Sequence, residues 1–317
     1  MSVLVTGAAG FIGSHLCRRL IDSGSRVIGL DNLDPFYDPA IKRKNLGNLL
    51  NDKRFTFVVG DIRDSSCVES ILDKSRPNVV VHLAAKAGVR PSIEDPVGYA
   101  DVNLNGTAVL LKAAQQYDVD RFIFASSSSV YGNNPKVPFS ETDAVDHPIS
   151  PYAATKKGGE LLCHTYSHLY GMNITCLRFF TVYGPCQRPD LAIHKFARLI
   201  EVGKPIPVYG DGSMERDFTY IDDILDGVMA AIEKCRGYAI YNLGESRSIR
   251  LDELIGEIEK ALNKKAVCNF LPMQPGDVLR TCADLTRARQ DLGYRPKTEL
   301  RQGLAKFVNW MRQESME

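Results

Sequence analysis

Short apolar runs alternate with longer amphipathic segments through the first half of the chain, and this alternation is its most constraining feature. Runs without polar alternation are typical of strands buried on both faces, as in parallel sheets. Parallel strands joined by right-handed crossovers predict an α/β fold with a doubly wound sheet. The predicted strands are Val3–Thr6, Arg26–Leu30, Phe55–Val59, Asn78–Leu83, Arg121–Ala125 and Asn173–Leu177. The predicted helices are Phe11–Asp22, Ser65–Lys74, Leu104–Gln116 and Ser150–Tyr170.

The pattern changes near residue 178, where proline, glycine and aromatic residues begin to interrupt shorter elements. Amphipathic segments at Leu251–Leu262 and Leu300–Met311 predict two late helices. The apolar run Ala239–Leu243 predicts a strand that returns to the first sheet. We therefore expect a sheet domain at 1–178 with a return near 221–245, and a smaller α/β substrate domain occupying most of 179–317.

Composition excludes several classes of function. The 317 residues have a net charge of +1, with acidic and basic residues interleaved, which disfavours nucleic-acid and anionic-membrane partners. The eight cysteines form no C-x-x-C pair, so no metal site is predicted and a reduced, cytoplasmic setting is expected. No apolar run approaches the roughly 20 residues of a membrane span.

Glycines follow the first predicted strand and open the first predicted helix, at Gly7, Gly10 and Gly13 in G-A-A-G-F-I-G. Glycine allows a tight turn and close approach of the backbone to a pyrophosphate. The N-terminal amides of the helix then attract the phosphates. A purely structural strand–turn–helix could also use these glycines, but their context favours a Rossmann dinucleotide site.

Asp31 ends the second predicted strand, where a carboxylate accepts hydrogen bonds from the adenosine ribose. The same carboxylate would repel a 2′-phosphate, so it favours NAD over NADP. Asp31 could instead be a turn residue in D-N-L-D. Together with the glycines, the cofactor interpretation is favoured.

Tyr152 and Lys156 occur as Y-A-A-T-K at the start of a predicted helix, and residues four apart share one helical face. Tyrosine is a poor base at neutral pH. The lysine cation and an oxidised nicotinamide are expected to lower the pKa of the tyrosine. Such a pair also arises by chance, but of the thirteen tyrosines only Tyr152 has lysine four residues later.

A serine run, Ser126 to Ser129, follows the strand Arg121–Ala125. Hydroxyls at the carboxyl end of a sheet strand lie where doubly wound folds bind ligands. The run could also be a simple polar transition from strand to loop. With Tyr152 and Lys156 present, the catalytic interpretation is favoured.

These motifs, with Gly60-Asp61-Ile62 and His82-Leu83-Ala84-Ala85, occur in the order found in extended short-chain dehydrogenases/reductases, which the whole chain resembles. The resemblance implies a catalytic triad of Ser127, Tyr152 and Lys156, with Ser128 as the neighbouring alternative to Ser127. It also implies a homodimer formed through the helices at Leu104–Gln116 and Ser150–Tyr170. The implied NAD-binding residues are Gly7, Gly10, Phe11, Ile12, Gly13, Asp31, Asn32, Asp61, Ile62, Leu83, Ala84, Ala85, Lys86, Asn103, Tyr152 and Lys156.

The serine run also bears on the reaction. Similar dehydratases have an Asp-Glu pair just before Val-Tyr-Gly, and UDP-glucuronate decarboxylases have a glutamate there. This chain has Ser128 and Ser129 before Val130, which favours reversible oxidation and reduction at C4, as in an epimerase. Three stretches, Asp34–Leu46, Arg178–Asp190 and Met273–Val278, resemble the UDP-glucuronate 4-epimerases in particular.

That resemblance implies NAD-dependent conversion of UDP-glucuronate to UDP-galacturonate through a transient 4-keto sugar. UDP-glucose 4-epimerases usually have asparagine where this chain has Thr181. The expected partner of the sugar carboxylate is Arg188, then Arg90, because guanidinium holds a carboxylate with two parallel hydrogen bonds. The expected substrate-binding residues are Arg90, Ser127, Ser128, Thr181, Arg188, Lys195, Arg216, Asp277 and Arg280.

Other interpretations remain open. Arg188 could be a solvated surface cation, and arginine–aspartate pairing within the second domain could explain Arg216, Asp277 and Arg280. The chain could epimerise a neutral UDP-hexose such as UDP-glucose or UDP-N-acetylglucosamine, decarboxylate UDP-glucuronate, or be a net oxidoreductase. It could also be a catalytically silent NAD sensor, although a sensor has no need of Tyr152, Lys156 and the serine run together.

Overall fold

The computed structural model describes residues 1–274 and 276–314. Pro275, inside the M-Q-P-G-D-V stretch, and residues 315–317 lie outside the described part. In chain order the elements are β1 (Ser2–Thr6), α1 (Phe11–Asp22), β2 (Arg26–Asp31), α2 (Pro39–Leu46), β3 (Phe55–Val59), α3 (Ser65–Ser75), β4 (Val79–His82), α4 (Val89–Glu94), α5 (Pro96–Ala100), α6 (Gly106–Gln116), β5 (Arg121–Ser127), α7 (Pro151–Tyr170), β6 (Asn173–Phe179), β7 (Thr181–Tyr183), α8 (Ala192–Glu201), β8 (Ile206–Tyr209), β9 (Glu215–Tyr220), α9 (Ile221–Lys234), β10 (Tyr238–Leu243), β11 (Ser248–Arg250), α10 (Leu251–Leu262), β12 (Cys268–Leu271), α11 (Thr286–Asp291) and α12 (Leu300–Glu314).

A seven-stranded parallel sheet forms the centre of the molecule, in the order β10-β6-β5-β4-β1-β2-β3. The order reverses direction at β1 and β4, as in a Rossmann fold. Alternate residues of β1 enter cores on opposite faces, because successive side chains of a strand point to opposite sides. Val3 and Val5 pack on one face and Leu4 packs on the other. The predicted doubly wound α/β fold is confirmed.

The two faces of the sheet are covered by different helices. Leu16 of α1 and Ile224 of α9 are fully buried in the core on one side. Val68 of α3, Leu110 of α6 and Cys163 of α7 are fully buried in the core on the other. None of the helices among the described residues is long and apolar enough to cross a membrane.

Two small sheets lie outside the central sheet, and they combine β7, β8 and β9, which precede α9, with β11 and β12, which follow β10. One has the order β11-β9-β7, with β7 and β9 parallel and β11 antiparallel to β9. The other pairs β12 with β8 in parallel. The chain then returns through α9 to β10, which pairs with β6 from Tyr238↔Ile174 to Leu243↔Phe179. The expected return strand is therefore present.

Several element boundaries differ from those expected, among them β6, which continues to Phe179 instead of ending at Leu177, and two others lie beside the site. The strand expected to end at Ala125 continues through Ser127, with Ser126 opposite Arg178 on β6 and Ser127 opposite Phe179. Apolar patterning missed these residues because their burial depends on hydrogen bonding rather than on apolar character. The helix expected from Leu104 begins at Gly106, after a π turn at Asp101–Asn105.

Candidate active site

The glycine loop between β1 and α1 packs against the end of β4. Gly7 has φ +72°, and a Cβ atom there would lie 2.8 Å from the backbone nitrogen of Ala84. A Cβ atom on Gly13 would overlap the carbonyl oxygen of Gly7, so α1 begins in direct contact with the loop. Gly10 precedes α1 and no side chain caps that helix. The first-turn amides are thus available to a phosphate, which fits a dinucleotide.

Asp31 is held at the end of β2 by backbone donors. Its Oδ2 accepts from the Ala9 amide at 3.0 Å and its Oδ1 accepts from the Leu33 amide at 2.8 Å. Asp61, after β3, accepts from Asn32 Nδ2 at 2.9 Å. A hydrogen-bonded pair with Arg63 holds the pKa of Asp61 well below its usual range. Asp61 therefore stays charged near neutral pH, and the two backbone amides fix the orientation of Asp31.

The first cavity, of about 390 Å³, lies over the carboxyl ends of β1, β2, β4 and β5. Every predicted NAD residue except Asn103 borders it. Buried Asn103 lies behind the wall, where its Oδ1 accepts from Lys86 N at 2.9 Å and its Nδ2 donates to Lys86 O at 3.0 Å. Asn103 therefore positions the Lys86 segment. The residues present fit NAD.

Phe36, Tyr37 and Lys42 also border this cavity, and sequence reasoning missed all three. They come from the β2–α2 connection and α2, which no helical periodicity had marked. The available signal was the resemblance of Asp34–Leu46 to one group of epimerases, which gave no individual residue a role.

The predicted catalytic residues meet at the base of this cavity, where β5 ends and α7 begins. Ser150 caps α7, accepting from the Ala153 amide at 3.1 Å, and this fixes Tyr152 in the first turn. One turn later Lys156 Nζ donates to the carbonyl of Ala125 at 2.8 Å and lies 5.9 Å from the centre of the Tyr152 ring. All three predicted triad residues border the cavity.

Burial dominates the electrostatics of this group. It lowers the pKa of Lys156 to about 8, so the side chain is still mainly a cation at neutral pH. Burial also raises the pKa of Tyr152, while a hydrogen bond with Ser127 and the charge of Arg188 act to lower it. The expected lowering of the Tyr152 pKa is therefore not a property of the ligand-free chain.

A buried ion pair between β6 and α7 lies beside the end of β5, where Ser126 and Ser127 are located. Arg178 on β6 donates twice to Glu160 on α7, at 2.8 Å to each carboxylate oxygen. Ser126 Oγ donates to the same carboxylate at 2.6 Å. The next serine, Ser127, accepts from the Ser129 amide at 3.1 Å and borders the cavity. Ser128 does not border it, so the geometry favours Ser127.

Arg188 enters the first cavity from the substrate side. Its Nε and Nη2 donate to the two carboxylate oxygens of Asp190 at 3.0 and 2.6 Å. Nη1 donates to Ala87 O at 3.3 Å, and the guanidinium lies 5.0 Å from the centre of the Phe36 ring. Because its side chain is only 17% exposed, Arg188 is not a solvated surface cation.

A second cavity, of about 290 Å³, lies beside the first, and Thr181 and Leu191 border both. The expected substrate residues Arg90, Lys195, Arg216 and Asp277 border it as well. Arg90 donates to both carboxylate oxygens of Asp277, at 3.2 and 2.9 Å, and stacks 4.2 Å from the centre of the Tyr209 ring. The two cavities are therefore neighbours that share part of one wall.

Arg216 and Arg280 have different surroundings. Arg216 donates to the carbonyl of Glu215 at 2.9 Å, and no carboxylate of the described residues lies within 4 Å of its guanidinium. Burial lowers the pKa of Arg216. Arg280 instead pairs with Glu215 at 2.8 Å, is half-exposed and does not border the second cavity. Arg280 therefore has a structural ion pair, but its partner is a glutamate rather than the aspartate considered from the sequence.

Comparison with known proteins places the chain among nucleotide-sugar enzymes. The model of a family described as GDP-mannose 4,6 dehydratase matches residues 4–307. A UDP-glucuronate 4-epimerase from Thermodesulfobacterium geofontis is 43% identical over 312 residues, covering 98% of this chain and 96% of that protein.

Solved structures agree over the whole chain. UDP-glucuronic acid 4-epimerase from Bacillus cereus, in complex with UDP-glucuronic acid and NAD, superimposes with a TM-score of 0.94 at 39% identity, covering 99% of this chain and 100% of that one. UDP-glucose 4-epimerase from Thermotoga maritima, with UDP-glucose, gives a TM-score of 0.92 at 34% identity and covers 100% of both chains.

Proposed function

This chain belongs to the GDP-mannose 4,6-dehydratase family of extended short-chain dehydrogenases, and we propose that it is an NAD-dependent UDP-glucuronate 4-epimerase. The observation that most supports this function is the placement of Arg188 in the wall of the cavity that contains Tyr152. The Arg188 cation can bind the carboxylate of a sugar acid, and Tyr152 can act as the base that accepts the proton of its 4-hydroxyl. Bound NAD supplies the hydride acceptor and donor at C4.

Residues of the chain transfer the proton and orient the sugar. Tyr152 takes the proton of the 4-hydroxyl as C4 is oxidised and returns it after the sugar has turned over. Ser127 donates a hydrogen bond to the forming carbonyl oxygen. Lys156, anchored on Ala125, supplies positive charge beside Tyr152. Net redox change is zero, so the cofactor is retained between turnovers.

The distribution of acidic residues favours epimerisation over elimination or decarboxylation. Among the described residues, the carboxylates that border the first cavity are Asp31, Asp34 and Asp61. These follow β2 and β3, which lie three and four strands from β5 in the sheet. Next to Tyr152 the chain presents serine hydroxyls instead of an acid that could remove a further proton.

The sugar carboxylate is proposed to bind Arg188 in place of Asp190. Asp190 already binds Arg188 through two parallel hydrogen bonds, and because its side chain is 42% exposed it can turn to solvent when a sugar carboxylate takes its place on the guanidinium. A neutral hexose cannot make this exchange, so the pair favours an acidic sugar. Holding the carboxylate in a fixed orientation also protects the 4-keto sugar, a β-keto acid, from losing carbon dioxide.

The second cavity is proposed to hold the nucleotide, with Arg216 and Lys195 directed at the pyrophosphate and Arg90 with Asp277 near the ribose. An unpaired, partly buried arginine is the expected partner of a phosphate anion. In this division, residues 1–178 with the return near 221–245 hold NAD, and 179–317 hold most of the nucleotide sugar.

The assembly and location are also proposals. The resemblance implied a dimer contact through α6 and α7. Leu161 and Leu169 of α7 are large exposed apolar side chains, and α5, which packs against α7, exposes Val97. Exposed apolar groups on neighbouring helices favour a helix-to-helix contact between two copies of the chain. We propose a homodimer that works in the cytoplasm, and sedimentation analysis of the purified protein measures its mass.

The decisive experiment is incubation of the purified protein with UDP-glucuronate, with the products resolved by NMR. Formation of UDP-galacturonate without free NADH or carbon dioxide supports the proposal. A UDP-pentose would show decarboxylation instead. No reaction with UDP-glucuronate but turnover of UDP-glucose or UDP-N-acetylglucosamine would show that the enzyme is a neutral-hexose epimerase.

A further inference from the structure

Lys42 is a buried cation in the wall of the first cavity. It is 7% exposed and lies in α2. Among the residues that the structure describes, its ammonium has no hydrogen bond and no carboxylate within 4 Å, and it lies 4.9 Å from the centre of the Tyr37 ring. Burial lowers the pKa of Lys42, the charges of Asp31 and Asp34 act to raise it, and the charge of Arg188 also acts to lower it. No protein group therefore neutralises this charge directly.

Helix α2 is fixed to the glycine loop on the face that contains Lys42. Asp38 caps the helix by accepting from the Ala40 amide at 2.9 Å. Asn45, three residues after Lys42 and so on the same face, donates to the carbonyl of Ala9 at 3.1 Å. Ala9 in turn donates its amide to Asp31. The face of α2 that includes Lys42 is therefore attached to the loop that opens α1, and Lys42 and the glycines of that loop border the same cavity.

A buried ammonium without a partner costs free energy that an anion in the same cavity offsets. The pyrophosphate is the anionic part of a dinucleotide, and the uncapped amides of α1 define where it binds. We propose that Lys42 binds the dinucleotide pyrophosphate, adding a charged side chain to the neutral amides of the glycine loop. This inference rests on the proposed function only in taking a dinucleotide as the ligand.

The proposal assigns different parts of the ligand to different residues. The carboxylates of Asp31 and Asp61 accept hydrogen bonds from the adenosine half of the ligand. Free adenosine, which has no phosphates, can still donate those hydrogen bonds. Lys42 interacts only with the negative charge of the pyrophosphate. Removal of its charge should therefore weaken binding of NAD and ADP while leaving binding of adenosine unchanged.

The test is titration of the cofactor-free protein with NAD and ADP by calorimetry, and with adenosine by ligand-observed NMR. Lys42→Met keeps the packing of the side-chain stem and removes the charge. We expect the Kd for NAD and for ADP to rise about 10- to 100-fold, the range of a hydrogen bond to a charged group. The variant should also retain less nucleotide through purification.

Two further variants separate charge from packing. Arg43→Met removes a charge from the exposed neighbouring position of α2 and should leave all three dissociation constants within threefold of the original. Lys42→Arg should restore most of the NAD affinity. Unchanged NAD and ADP affinities in Lys42→Met would overturn the proposal, and so would an equal loss for adenosine. None of these measurements uses a UDP-sugar, so failure of the epimerase assay leaves the test intact.

Discussion

The two cavities differ in how the chain builds them. The first collects residues at the ends of neighbouring parallel strands, and each strand brings a short contiguous motif. The second collects Arg90 from α4, Lys195 from α8, Arg216 from β9 and Asp277 from a late loop. Strands of one sheet impose a fixed geometry, whereas separate loops and helices can change independently. We infer from this contrast that the sheet holds the redox chemistry and the second region holds the nucleotide, while Arg188 brings recognition of the sugar carboxylate into the first cavity.

Substitution of Tyr152 should give the largest effect if chemistry belongs to the first cavity. We expect Tyr152→Phe to lower kcat about 10³-fold, because general acid–base groups contribute 10²- to 10⁴-fold. The ring still packs edge-on against Tyr99, so stability should change little. Kd values for NAD and for the UDP-sugar, measured by calorimetry, should stay within a few-fold. A comparable loss of UDP-sugar affinity would show that catalysis and nucleotide binding are not separated between the two cavities.

Substitution of Arg216 is the matching test in the second cavity. We expect Arg216→Met to raise the Kd for UDP and for the UDP-sugar about 10- to 100-fold, since a charge-assisted hydrogen bond to phosphate is lost. The Kd for NAD should not change. If instead NAD binding fell while UDP binding held, the assignment of the nucleotide to the second cavity would be wrong.

The same contrast explains what the sequence could predict. The glycines, Asp31 and the Tyr152–Lys156 pair lie in short motifs whose spacing alone defines a strand end or a helix face. Lys42 is buried by the way α2 folds back on the glycine loop, which is a tertiary contact that local periodicity does not reveal. The sequence placed both Arg216 and Arg280 among the substrate-binding residues, yet Arg216 borders the second cavity, whereas Arg280 lies outside its lining and pairs with the Glu215 carboxylate. Ser126 and Ser127 extended a strand because buried hydrogen bonds replaced apolar packing.

The buried charge of Lys156 should make the stability of the first region depend on pH. Its folded-state pKa of about 8 lies below its ordinary value of 10.5, so the unfolded chain binds more protons between pH 8 and 10. The free energy of unfolding therefore rises with pH in this window. Urea unfolding of the cofactor-free protein should show a rise about 2 kcal/mol larger in the unsubstituted chain than in Lys156→Met. Equal rises would mean that Lys156 is not desolvated.

Substitution of Arg280 should give the smallest change in affinity for the UDP-sugar. This result would place Arg280 outside the second cavity. Its partner is Glu215 in a half-exposed pair, and such surface pairs contribute about 0–1 kcal/mol. Arg280→Gln should therefore change the Kd for the UDP-sugar less than threefold by calorimetry, beside the larger loss in Arg216→Met. An effect of Arg280→Gln as large as that of Arg216→Met would mean that Arg280 leaves Glu215 to contact the bound nucleotide. The second region would then close around its ligand, while the first, fixed on the sheet, would not need to move.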